Sequence, residues 1–171
     1  VIGYLDQGGK GMIEAALDSG SFDLFVLSDG MIGQSIADAI GADLNGSFGS
    51  LPGTVSAGAT KFAEISGDID PTAPYAGESY DAAALIVLAM QAGGSADRMS
   101  IVSNIKKVAN APGDKILPGE LAKGLEILAA GGDIDYQGAT DVELSTFGDA
   151  AGSFKEVEVQ GGKFEMIQIR N

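Results

Sequence analysis

Phe22-Asp23-Leu24-Phe25-Val26-Leu27-Ser28-Asp29-Gly30-Met31-Ile32 is the stretch on which the fold turns. Residues 22–27 are apolar except for Asp23, and an unbroken run of strand length predicts a strand covered on both faces, as in a parallel sheet. Ser28-Asp29-Gly30 ends it, and behind it Ile32, Ile36, Ala39 and Ile40 recur at helical spacing. Upstream, residues 1–4 read as the end of a second buried strand. Gly8-Gly9-Lys10-Gly11 then opens a helix with Met12, Ile13, Ala16 and Leu17 on one face, stopped by Asp18-Ser19-Gly20. Downstream, Asn45-Gly46-Ser47 leads into an extended segment over residues 48–51. Strand, helix, strand, helix, strand predicts a doubly wound α/β lobe.

Pro52-Gly53-Thr54 breaks this pattern, and helical composition follows. Residues 57–65 predict a helix, 66–74 a loop, and 75–91 a long helix. Its segment Tyr80-Asp81-Ala82-Ala83-Ala84-Leu85-Ile86-Val87-Leu88-Ala89-Met90 is apolar nearly all round and predicts a core helix. Gly93-Gly94 ends it. A further helix begins at Ser95 with Met99, Ile101, Val102, Ile105 and Val108, and another runs from Pro118-Gly119-Glu120 to Ala130. The remainder alternates at period two over residues 142–144, 154–159 and 164–169, with Gly161-Gly162 as a hairpin turn. No internal repeat is evident.

The chain has 171 residues, 24 Asp+Glu against 10 Lys+Arg, a formal net charge of -14, and no Cys, His or Trp. Thiol nucleophiles, imidazole bases, Ser-His-Asp triads and zinc-finger sites are thereby excluded. So strong an acidic excess argues against nucleic acid and anionic lipid as partners. The longest apolar run, residues 82–90, is too short to span a bilayer. Val1-Ile2-Gly3-Tyr4 has neither a starting Met nor a basic leader, so the chain reads as cut from a longer one.

Gly8-Gly9-Lys10-Gly11 lacks the spacing of a phosphate loop, and no dinucleotide fingerprint follows Tyr4. Asp133-Ile134-Asp135-Tyr136-Gln137-Gly138 starts like a calcium loop, but position twelve is Leu144 where a bidentate Glu is required, so a solvated turn before a strand is the expectation. Asp29 follows a strand at the carboxyl end of a parallel sheet, where open α/β folds bind ligands, and Tyr4 ends the neighbouring strand at the same edge. Spacing alone leaves two roles for Asp29: a carboxylate gripping a cationic or donor group, or a cap on the next helix. Tyr75 and Tyr80 stand at the entry of the core helix, where packing is the ordinary role of such rings.

Three blocks together, Ser28-Asp29-Gly30, the segment from Tyr80 through Met90 to Gln91-Ala92-Gly93, and Gly131-Gly132-Asp133-Ile134-Asp135-Tyr136-Gln137-Gly138-Ala139, resemble the substrate-binding proteins of branched-chain amino acid ABC transporters. The resemblance runs over residues 1–169. It implies an α/β fold of the type I periplasmic-binding-protein kind, with parts of two Rossmann-like lobes and a C-terminal β-hairpin. Residues 1–52 and 152–171 would belong to lobe two and 53–151 to lobe one, the lobes joined by hinge strands and closing on a ligand between them. On that resemblance Asp29 takes the ligand's α-ammonium, Tyr4 is an aromatic ligand contact, and Tyr75 walls the side-chain pocket. The groups for the ligand's carboxylate would come from the first half of such a protein, so this chain would carry about half a site and bind amino acids weakly or not at all.

The function so implied is capture of an amino acid in the periplasm for an inner-membrane permease, with no cofactor and no catalysis. A half-protein would also present open sheet edges, and a homo-oligomer is expected. A ligand sensor of the same fold, and an enzyme using Asp29 with Lys10 nearby, are the competing readings; the enzyme lacks a second catalytic partner.

Overall fold

A computed structural model describes residues 4 and 8–170. The chain divides into two compact units, Val1–Gly53 with Ser153–Asn171, and Thr54–Gly152. The expected strand at residues 1–4 lies, apart from Tyr4, outside the described residues.

In the first unit, helix α1 (Gly9–Asp18) precedes strand β1 (Val26–Leu27), a single 3-10 turn (Asp29–Met31), α2 (Gln34–Ile40) and β2 (Phe48–Pro52). Strands β7 (Phe154–Gln160) and β8 (Lys163–Arg170) complete a sheet of order β1-β2-β7-β8. β2 runs parallel to β1, with Val26 opposite Phe48, and antiparallel to β7, with Gly49 opposite Val157. Gly161 and Gly162 turn the β7–β8 hairpin at φ 59° and 79°, values that suit a two-residue loop following the sheet's twist. Ile13 of α1 and Ile36 of α2 pack with Phe25, Leu27, Leu51 and Val157 into one core.

The other face of this sheet is open, which corrects the expectation that β1 is covered on both sides. Phe25 and Leu27 are 4% and 2% exposed, but Phe22, Leu24 and Val26 are 62%, 55% and 57% exposed. The apolar run encodes a strand made for cover on two faces; helices of this unit supply cover to one.

In the second unit, α3 (Ala57–Ile65) is capped by the Ser56 hydroxyl, which accepts from the Ala59 N–H at 3.0 Å. α4 (Ala76–Gly93) and α5 (Arg98–Ala109) follow; the Asp97 carboxylate caps α5 by accepting from Met99 at 2.9 Å. Strand β3 (Asp114–Ile116) leads to α6 (Leu121–Ala129), and β4 (Ile134–Tyr136) pairs with β3 in parallel. β5 (Glu143–Leu144) and β6 (Ala150–Ala151) form a short antiparallel pair. Leu85 and Leu88 of α4, Val108 of α5, Ile116, Ile134 and Tyr136 build the core.

Two expectations change here. α4 is covered on one side only: Asp81, Ala84, Leu85, Leu88 and Ala89 form the buried stripe at helical spacing, while Ala82, Ala83, Ile86 and Val87, apolar as well, face outward. Residues 134–136 are a fully buried strand, so the solvated turn expected there is absent; of its acids only Asp133 stays at the surface, 3.1 Å from Lys107. β3 was not foreseen, because three residues between Gly113 and Leu117 are too few for a periodic signal.

Candidate functional site

The first unit gathers two of the three candidate residues around the start of α1. β1 delivers the chain at its carboxyl end to Ser28, whose extended backbone leads into the Asp29–Met31 turn; the Met31 N–H donates to the Ser28 carbonyl at 2.9 Å. Asp29 is half-buried and its Oδ1 accepts from the Gly30 N–H at 2.8 Å. The Tyr4 carbonyl accepts from the Gly9 N–H at 3.1 Å, while its side chain is 64% exposed. Gly9 is the joint between these segments: a Cβ there would lie 2.7 Å from the Tyr4 oxygen and 2.9 Å from the Met31 Cε. Only glycine allows the Tyr4 backbone and the turn carrying Asp29 to meet over the first residue of α1. Lys10 points away to Glu14, at 3.8 Å.

Tyr75 belongs to the second unit. It precedes α4 in the left-handed region at φ 66°, is 45% exposed, and its carbonyl accepts from the Ser79 N–H at 2.9 Å. Tyr80, one turn on, packs its ring on Phe62 with centroids 5.3 Å apart, and its hydroxyl accepts from the Gly119 N–H at 3.0 Å.

Sequence reasoning passed over Asp81. This carboxylate is 3% exposed and accepts four hydrogen bonds: Oδ1 from the Tyr136 hydroxyl and the Ala139 N–H, each at 2.8 Å, and Oδ2 from the Thr140 N–H at 2.8 Å and hydroxyl at 2.7 Å. A carboxylate has about four lone-pair sites, so Asp81 is saturated and has no acceptor left for a ligand or a proton transfer. Burial, with the Asp81 charge beside it, holds the Tyr136 phenol far above its ordinary 10.0, as a permanent donor. The available signal was an acid inside an apolar helix, which demands buried donors from elsewhere in the chain. Among the described residues no group of three His, Cys, Asp or Glu is arranged to hold a metal ion, and no helix is long and apolar enough to cross a membrane.

Comparison with solved structures decides the fold. The chain superposes on the leucine binding protein LivK of Thermotoga maritima with a TM-score of 0.67 at 18% identity, covering 95% of this chain and 41% of that one. The fold is that of part of a type I periplasmic binding protein. A periplasmic binding protein type 1 from Bordetella pertussis matches with a TM-score of 0.52 at 18% identity, over 93% of this chain and 43% of the other. In sequence, the chain is 32% identical over 79 residues to the chemotactic signal transduction system substrate-binding protein BasB of Halobacterium salinarum, covering 46% of this chain and 19% of BasB. No family model matches the chain. The chain therefore spans about two fifths of the solved relatives and a fifth of the curated one, and in the type I fold its Asp29 turn occupies the carboxyl end of a parallel strand.

Proposed function

We propose that this chain is part of the solute-binding component of an ABC transporter, which takes an amino acid, branched-chain or related, in the periplasm and passes it to an inner-membrane permease. The observation that carries the reading is Asp29, half-buried at the carboxyl end of β1 on a turn that meets the Tyr4 backbone, within a type I binding-protein fold. A carboxylate so placed suits an α-ammonium by a charge-assisted hydrogen bond. Tyr4 and Tyr75 supply aromatic walls, and closure of two lobes about a hinge encloses the ligand. Residues 1–52 and 152–171 act as part of one lobe and 53–151 as part of the other, so that about half the site resides here. The role is binding without chemistry; the solved neighbours bear the names of binding proteins.

NMR of the chain labelled with 3-fluorotyrosine tests this. Leucine is expected to shift the Tyr4 and Tyr75 resonances with a Kd near 1 mM, a binding energy of only about 4 kcal/mol. 4-Methylpentanoate, which lacks the ammonium group, and leucine added to Asp29→Asn should each bind about tenfold more weakly, a loss of about 1.4 kcal/mol. No response to leucine, isoleucine or valine overturns the role of Tyr4 and Tyr75 as ligand contacts in this chain alone, and micromolar binding by calorimetry overturns the half-site.

BasB's name supports a second reading, in which the bound form is presented to a chemotaxis receptor rather than a permease. For the chain alone we propose self-association. Phe22, Leu24, Val26, Phe48 and Phe154 are exposed in the first unit, and the ion pair of Glu156 with Arg170 at 2.6 Å lets a two-fold axis match opposite charges.

A further inference from the structure

We infer that Asp81 is the positioning residue of the second unit's ligand-bearing edge, holding Tyr75 in place through the loop of residues 137–140. The inference rests on the proposed function only in treating Tyr75 as a ligand contact.

The loop leaves β4 at its carboxyl end, and the Gln137 N–H donates to the Ile116 carbonyl at 3.1 Å, so it starts at the carboxyl edge of both parallel strands. Three glycines let it lie there. A Cβ on Gly58, in the first turn of α3, would run into the Gly138 carbonyl oxygen. Gly138 itself has φ 58° and sits directly against the Asp81 carboxylate. Gly77, in the first turn of α4, faces the Ala139 Cβ and Thr140 Cγ2, its own absent Cβ being 3.3 Å and 3.4 Å from them. Residues 139 and 140 are thus wedged between Asp81, which binds both, and Gly77, two residues after Tyr75.

A second observation locates strain at the same place. Among the described residues two non-glycine residues have positive φ, Tyr75 at 66° and Asp141 at 56°. One stands immediately before α4 and the other immediately after Thr140, on either side of the Asp81 hydrogen bonds. Such a conformation costs an L residue about 1–2 kcal/mol and persists where its surroundings over-determine it. Asp81 provides that constraint: it fixes Thr140, Thr140 fixes the first turn of α4, and the left-handed entry at Tyr75 follows. The neighbouring Tyr80 is held independently, by Phe62 and the Gly119 N–H.

The 3-fluorotyrosine-labelled chain separates positioning from general support, since Tyr4, Tyr75, Tyr80 and Tyr136 give four resonances assignable by Tyr→Phe exchange. In Asp81→Asn, and to a smaller extent in Thr140→Val, the Tyr75 resonance is expected to move and broaden while those of Tyr80 and Tyr4 stay. Amide exchange at residues 139 and 140 should quicken about tenfold or more. An unmoved Tyr75 resonance in a variant that is folded by circular dichroism, or shifts spread equally over Tyr75 and Tyr80, overturns the assignment. Should Asp81→Asn not fold, Thr140→Val decides alone. The leucine response of the unsubstituted chain is a separate reading: if it is absent while Asp81→Asn still moves Tyr75, the positioning stands and the ligand role falls.

Discussion

Asp29 and Asp81 are both acids beside apolar segments, yet they differ in what they have left to offer. Asp29 ends a strand and is half-buried on a tight turn, a placement legible from the Ser-Asp-Gly sequence after an apolar run. Asp81 is saturated by donors 55 to 59 residues away, and no local pattern announces partners at that separation. Tyr136 reports on the Asp81 cluster. Tyr136→Phe is expected to cost about 1.5–3 kcal/mol at neutral pH, the usual worth of a hydrogen bond to a charged group. Because the folded phenol is held above the unfolded value of 10.0, its contribution is complete below pH 10 and is lost as the pH rises beyond that, where only the unfolded chain ionises. Melting temperatures measured from pH 8 to 11 should fall more steeply above pH 10 for the unsubstituted chain than for Tyr136→Phe.

At the scale of elements, periodicity carried most of the reading and failed where burial is one-sided. α3 falls on residues 57–65 as expected, and the hairpin of β7 with β8 falls where alternation and Gly161-Gly162 put it. β1 and α4 are the exceptions: their sequences are apolar on two sides, while each is covered on one. A sequence states how much cover an element can accept, not which face receives it. Substitution separates the faces of the 22–27 segment. Leu27→Ala should lower unfolding free energy by about 2–5 kcal/mol in urea titrations, as a buried truncation does. Leu24→Ala should stay within about 0.5 kcal/mol. If copies pair through this open face, Leu24→Lys reduces the mass seen by light scattering to that of one chain; a monomeric mass before substitution disproves the pairing.

For the whole molecule the dominant quantity is its charge of -14. The ion pairs among the described residues that involve Lys10, Lys61, Lys107 and Arg170 are all substantially exposed, and such pairs are worth about 0–1 kcal/mol each. Repulsion among 24 acids is therefore set against little compensating attraction. Raising salt from 0.01 to 0.15 M shortens the screening length from about 30 to about 8 Å. The melting temperature should rise over that range; a fall would mean that ion pairs outweigh the repulsion. Acidity was plain from composition alone. What composition could not convey is which acids are paired, since pairing depends on which side chains the fold makes neighbours.

The first unit is not continuous in the chain. β2 ends beside β7, with the Gly53 N–H donating to the Ser153 carbonyl at 3.0 Å across an intervening unit of residues 54–152. On the ribosome this fixes an order of events. The second unit, contiguous in sequence, can close its core while synthesis continues, whereas β2 waits as an unpaired edge until residues 154–170 have emerged. During that interval the edge of β2 opposite β1 has no strand beside it, so a nascent chain stalled before Ser153 is the species most exposed to aggregation and to chaperone capture.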